Sequence, residues 1–178
     1  MPNYIKNSLQ IIGTNEQVKE VLDFLETDYG VIDFNSITPQ PKWVYNGNLL
    51  CKKLEDKYGV ENCWYGWRRK NWGNKWNARN SELVADNVIE FETAWSGVPE
   101  LMSKLGLIFE DVEFLYQFAD EDIGCNVGEY HIKGIDVESI DFEDFSKESM
   151  VLAISLWECQ DDYKWNEETQ QFDTVWED

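Results

Sequence analysis

"NWGNKWNARNSELVADNVIEFETAW", residues 71–95, is the stretch on which the fold turns. Its last eight residues alternate: Ile89, Phe91, Thr93 and Trp95 share one side, Glu90 and Glu92 the other. Successive side chains of an extended chain point to opposite faces, so this segment reads as a strand with one buried and one wet side. The first nine residues can be read the same way. Trp72, Asn74, Trp76 and Ala78 then share one side, and Gly73, Lys75, Asn77 and Arg79 the other. With "NSELVADN" as a polar connection, the two segments form a meander that sets Trp72 and Trp76 against Ile89, Phe91 and Trp95. Lys75 and Arg79 fall near Glu90 and Glu92, where opposite charges across strands contribute roughly 0.2–1 kcal/mol a pair. Gly73 marks a bulge or a close approach to the backbone.

The residues just upstream, "CWYGWRRK" at 63–70, continue the same character. No carboxylate lies between Glu61 and Glu82, while Trp64, Trp67, Trp72 and Trp76 accompany Arg68, Arg69, Lys70, Lys75 and Arg79. Two readings of the strand over 64–79 stay open. In one it is a binding surface of Arg68, Arg69, Lys70, Trp72, Lys75, Trp76 and Arg79, completed by Thr93 and Trp95 from the neighbouring strand. Indole faces stack on bases or sugars, and the cations neutralise phosphate. In the other, the indoles are core and the charges pair across the hairpin. Arg68, Arg69 and Lys70 have no acidic neighbours in sequence and favour the first.

Working outward, "NYIKNSLQIIG" at 3–13 reads as a first strand. In "TNEQVKEVLDFLETDYG", Val18, Val21, Leu22 and Leu25 form a helical stripe, with Thr14 or Asn15 as cap and Gly30 as stop. "FNSITPQP" is extended or turning because of its prolines. "NGNLLCKKLEDKYG" predicts a short helix with Leu50 and Leu54 inward. "SGVPELMSKLGLIF" predicts another, capped by Ser96, with Leu101, Met102, Leu105 and Ile108 inward. "VEFLYQFADED" and "CNVGEYHIKG" read as strands. The order of elements predicts an α+β fold over residues 1–134, a ferredoxin-like α/β sandwich with an antiparallel sheet. The sheet's other face is solvated unless something covers it. Residues 135–178 form an acidic extension packed on the same domain. It holds a helix with Met150, Ala153, Ile154 and Trp157 inward, then a hairpin ending in Trp176. Alone it is too short to hold a core.

Several of these stretches resemble the YubB-type ferredoxin-like domain family, small proteins carried mainly on phages and plasmids. They are "MPNYIKNSLQIIG", "FNSITPQP", "NWGNKWNA", "FETAWSGVP" and residues 124–134, together spanning roughly 1–134. "NWGNKW" followed by F-x-TAW is the most specific part. The resemblance implies the ferredoxin-like fold and a mobile-element origin. It implies no activity, and it leaves the acidic tail outside.

Charge narrows the function. The chain of 178 residues carries a net charge of −20. Residues 1–80 hold 11 Lys/Arg against 9 Asp/Glu, a net of +2, and residues 81–178 hold 4 against 26, a net of −22. Such a field repels nucleic acid and anionic membrane and suits a basic partner. The four cysteines lack compact metal-ligand spacing, and His131 is the only histidine. Scattered cysteines, no signal-like start and no stretch of membrane-spanning length predict a cytoplasmic protein. No catalytic constellation or cofactor motif stands out. His131 has no nearby nucleophile, Cys63 and Cys125 read as inert thiols, and the paired carboxylates at 120–122 and 143–144 arise by chance in so acidic a chain. The expectation is a non-enzymatic mobile-element accessory protein without a cofactor, binding an unknown protein partner. One version has its acidic surface mimic nucleic acid. The alternative is a binding module for single-stranded nucleic acid or a phosphorylated ligand, gripped by the Trp/Lys/Arg strand at 64–79.

Overall fold

The alternation in "YIKNSLQII" builds the centre of the molecule. Strand β1, Tyr4–Ile12, turns Ile5, Asn7, Leu9 and Ile11 inward. The computed structural model describes residues 3–47 and 52–175, so the expectations for Leu50, for the Leu54 side chain and for Trp176 lie outside the described residues. The other strands are β2 (Arg79–Ala85), β3 (Val88–Ala94), β4 (Glu113–Asp120), β5 (Gly128–Lys133), β6 (Asp136–Asp141), β7 (Tyr163–Asn166) and β8 (Gln171–Thr174). The helices are α1 (Asn15–Leu25), α2 (Phe34–Ile37), α3 (Lys52–Tyr58), α4 (Trp64–Trp72), α5 (Pro99–Ile108) and α6 (Lys147–Leu156). Six strands form one antiparallel sheet in the order β2-β3-β1-β4-β5-β6. Its first four, reached by two strand–helix–strand crossovers, make the fold ferredoxin-like.

One face of the sheet carries Ile5, Leu9, Ile89, Phe91, Phe114 and Tyr116 into the core. Val21 and Leu25 of α1, Phe34 of α2, Trp72 of α4 and Leu101, Met102 and Leu105 of α5 meet them there. Each fully buried large apolar side chain contributes about 1.5–3 kcal/mol. Thr14 caps α1 in a reciprocal pair with Gln17, but the helix stops at Leu25 rather than near Gly30. Helix α5 starts at Pro99 after Val98, not after Ser96, because Pro presets the first helical residue. Its Ile108 is 45% exposed, at the end that overhangs the core. The expected turn at "FNSITPQP" contains one helical turn, nucleated by the Asp33 side chain accepting from Asn35 N.

The other face is partly covered. Met150, Ala153, Ile154 and Leu156 of α6 are buried, and Trp157 Nε1 donates to the carbonyl of Ala119 on β4 at 3.2 Å. The hairpin β7–β8 follows, with Trp165 against Phe172. The acidic stretch at 136–141 is itself the sixth strand, paired with β5 from Gly128↔Asp141 to Lys133↔Asp136.

The opening meander is where structure and expectation part. Residues 64–72 are helix, 73–78 are neither helix nor strand, and extended pairing begins only at Arg79. Gly73 is not a bulge; at φ 76° it ends α4 in a left-handed conformation that glycine adopts without strain. The "polar connection" at 80–85 is strand β2, on the sheet edge, and exposed side chains on both its faces erase the apolar alternation. Arg79 does stand opposite Glu92, but Glu90 pairs with Lys6 of β1 at 2.8 Å rather than with Lys75. Burial works against the charged Lys6, yet the bond to Glu90 and the nearby Glu82 and Glu92 outweigh it and raise its pKa. Ile89, Phe91 and Thr93 are buried together, whereas Trp95 leaves the strand.

A buried polar chain ties sheet to helix. Asn7 Nδ2 donates to Phe91 O and to Thr93 Oγ1, and Thr93 Oγ1 donates to Ser96 O. Tyr116 OH donates to Asn7 Oδ1 at 2.6 Å and accepts from Val98 N at 2.7 Å. Burial pushes the Tyr116 phenol far above its usual 10.0, so it stays a neutral donor. Tyr116→Phe strands two buried polar groups and should lower stability by about 1–3 kcal/mol. Denaturant unfolding checks this: the midpoint falls while the slope is unchanged.

Candidate anion-binding cleft

Trp64, Arg68 and Trp72 stand four residues apart, so helix α4 stacks them on one side. The Arg68 guanidinium carbon lies 5.0 Å from the Trp64 ring centre and 4.9 Å from that of Trp72. Such cation–aromatic contacts contribute roughly 0.5–2 kcal/mol. Each indole is pinned in turn: Trp72 Nε1 donates to Thr38 O at 2.8 Å, and Trp64 Nε1 to Gly47 O at 2.9 Å. Arg68 Nε donates to Gln40 Oε1 at 2.7 Å. Burial draws the Arg68 pKa down from 12.5, and a guanidinium keeps its charge in proteins at neutral pH.

Beyond Gly73 the chain crosses the molecule on two asparagines. Asn74 is 2% exposed; its Nδ2 donates to Ala94 O at 2.7 Å, and its Oδ1 accepts from Trp76 N. Asn77 Oδ1 accepts from Phe34 N at 2.8 Å and from Ala78 N at 3.0 Å. Its Nδ2 donates to Asp33 Oδ1 at 2.7 Å. Burial would raise the Asp33 pKa, but bonds from Asn77, Asn35 and Thr27 outweigh it and hold the carboxyl below its ordinary 3.8.

This path sets Trp76 and Arg79 around the same cleft as Arg68, with Tyr29, Asn35 and Asn77 also in its wall. The cleft encloses about 610 Å³. That falls within the roughly 300–1,000 Å³ of small-molecule sites. Arg79 lies 4.9 Å over the Tyr4 ring and donates to Tyr4 OH at 2.6 Å. Among the described residues no carboxylate forms an ion pair with Arg68 or Arg79, and none lines the cleft.

A smaller cleft of about 200 Å³ lies beside Gly73 and Asn74, walled by Tyr65, Arg69, Lys75 and Trp95. Lys75 Nζ sits 3.8 Å from the Trp76 ring centre. Trp95 has φ 74° and is 55% exposed. A bulky residue held there costs about 1–3 kcal/mol and persists only where its surroundings dictate it. They do: Trp95 N donates to Asn3 O, Trp95 O accepts from Asn126 Nδ2, and a Cβ on Gly97 would lie 2.6 Å from the Phe118 ring.

The residues singled out from sequence therefore divide. Arg68, Trp72, Trp76 and Arg79 share the larger cleft, and Arg69, Lys75 and Trp95 the smaller. Lys70 turns away to Glu61 at 2.9 Å, and Thr93 is buried in the chain of bonds from Asn7. Tyr29, Asn35, Asn77 and Tyr65 were not anticipated. Only the four-residue spacing of Trp64, Arg68 and Trp72 signalled in advance that a helix forms one wall.

Residues 71–175 match the family model described as the ferredoxin-like domain in Api92-like protein. The chain belongs to that family. The Api92-like match starts beside Trp72 and takes in Trp76, Arg79 and Trp95, and it runs on through the acidic region to residue 175. The matched residues take in most of the acidic stretch at 135–178, to which the resemblance to the YubB-type family does not extend. The match omits β1 and α1, although β1 sits between β3 and β4 in the sheet. No curated protein and no solved structure matches the chain.

Asp33 yields a pH test of the cleft's support. Its folded pKa is depressed, so its contribution is complete above the unfolded value of 3.8 and disappears as pH falls through the folded one. Asp33→Asn should be less stable than the parent at neutral pH, and the gap should close below 3.8. Thermal unfolding of both proteins across this range measures it; a gap independent of pH contradicts the assignment.

Proposed function

We propose that the chain is a non-enzymatic binding protein whose larger cleft takes a ligand combining an anionic group with a flat ring, of the nucleotide class. The observation that carries this is Arg68 and Arg79 lining one cleft with Trp76 and Tyr29, with no carboxylate among the described residues of its wall, in a chain of charge −20. Arginine forks match phosphate oxygens, and an indole face accepts a base or similar ring. The cleft wall supplies asparagines, aromatics and guanidiniums rather than a general base or a thiol nucleophile, which favours binding over turnover. The resemblance of 1–134 to phage- and plasmid-borne domains makes an accessory role in a mobile element, in the host cytoplasm, part of the proposal. No helix among the described residues is long and apolar enough to cross a membrane.

The test is a fluorescence titration with a nucleoside monophosphate. Binding should quench indole emission saturably and weaken as salt rises. Arg79→Ala should weaken binding about tenfold or more, the usual loss of a charge-assisted hydrogen bond. Absence of saturable quenching at low salt rejects the reading.

A second reading rests on the part of the second sheet face that α6 leaves open, where register puts Glu82 beside Glu90, with Glu129, Glu138 and Asp136 on the strands beyond. That face suits a basic protein partner and is the version in which acidic residues imitate nucleic acid. Association with a basic DNA-binding protein that disappears at high salt supports it; association insensitive to salt contradicts it.

A further inference from the structure

We infer that the smaller cleft is a second subsite of the same ligand track, so that the preferred ligand has two nucleotide units rather than one. This rests on the nucleotide-class reading of the larger cleft.

The two clefts repeat one chemistry. The larger offers Arg68 and Arg79 with Trp76 and Tyr29; the smaller offers Arg69 and Lys75 with Trp95 and Tyr65. Among the described residues, neither is lined by a carboxylate. They are also adjacent by construction. Arg68 and Arg69 are consecutive on α4, and Lys75 and Trp76 are consecutive on the crossing segment, each pair giving one member to each cleft. Consecutive side chains point away from each other on a helix or an extended segment, so the two clefts open on either side of one ridge of backbone, and the ligand track crosses that ridge. Lys75 bridges them, its side chain in the smaller cleft and its ammonium against the Trp76 ring of the larger.

Trp95 supports the same conclusion from the backbone. It is held at φ 74° with its indole exposed, although a glycine would sit there without strain. A strained indole left more than half exposed gains little by burial; as a stacking platform it has a use.

The track is short. Asn126 joins the Trp95 carbonyl to Asp120 and Asp144, so a ligand running past Trp95 meets carboxylates. Two further clefts are acidic, one walled by Asp23, Glu26 and Asp86 and the other by Glu113, Asp136 and Glu138.

The experiment compares thymidine monophosphate, the 5′-phosphorylated thymidine dinucleotide and an octathymidylate on the full chain at one low salt concentration. The dinucleotide should bind at least tenfold tighter than the monophosphate, and the octamer no tighter than its extra binding registers allow. Trp95→Gly and Arg69→Gln should return the dinucleotide to the monophosphate's affinity while leaving the monophosphate unchanged. Trp95→Gly should also melt no lower than the parent, which separates a lost platform from a damaged fold. Equal affinity for monophosphate and dinucleotide, or dinucleotide binding indifferent to Trp95→Gly, overturns the second subsite and spares the single-cleft reading. An octamer far tighter than the dinucleotide overturns the short track. No binding by any of the three overturns both readings.

Discussion

Six residues at 73–78 link helix α4 to strand β2 without joining either, burying every side chain but those of Lys75 and Trp76 in the clefts, and asparagine amides make this possible. Backbone N–H and C=O groups that leave regular structure inside a protein need partners, or each loses free energy comparable to a hydrogen bond. Asn74 gives its own segment and the end of β3 a shared anchor, and Asn77 does the same for the start of α2. An amide suits both places because it donates and accepts at once. With these two bonds in place, Trp76 and Arg79 line the same cleft as Arg68, with the Arg79 guanidinium held on Tyr4 of β1. The cleft is therefore a by-product of how the chain satisfies its backbone, and Asp33, which orients Asn77, belongs to its foundation.

The sheet was legible where one face is buried and the other wet. Tyr4–Ile12 and Val88–Ala94 alternate because each is inside the sheet, with the main core on one side and the other side only partly covered. The same rule misled at 72–78. Trp72, Asn74, Trp76 and Ala78 imitate a strand face, yet Trp72 ends a helix, Asn74 is a polar anchor, Trp76 walls the cleft and Ala78 is core. The competing signal, Trp64-x-x-x-Arg68-x-x-x-Trp72, was present in the same letters. An edge strand such as β2 leaves no such pattern, since neither of its faces is apolar. At the site, composition pointed to Arg68, Trp76 and Arg79, but Tyr29 and Asn35 arrive from forty residues away through packing that no local pattern encodes.

Charge separation follows from the same architecture. The nearly neutral first half supplies α4 and the crossing segment, and the strongly acidic second half supplies β4, β5, β6, α6 and the last hairpin. Arg68, Arg69, Lys75 and Arg79 thus line two clefts of a molecule whose net charge is strongly negative. Small anions approach such a patch more readily than long ones, because repulsion from the surroundings accumulates with every added phosphate while screening limits the reach of each to about 8 Å.

A six-stranded open sheet has two bare margins, and this molecule treats them differently. Along β2 the register slips twice, and Asn80 at φ 46° bends the strand out of line. Along β6 nothing bends; instead Asp136, Glu138 and Asp141 stand on a strand exposed throughout. A second molecule adding its own β6 there would bring like charges together, and one approaching β2 would find a crooked template. Growth of the sheet from molecule to molecule is thereby blocked by shape at one end and by repulsion at the other.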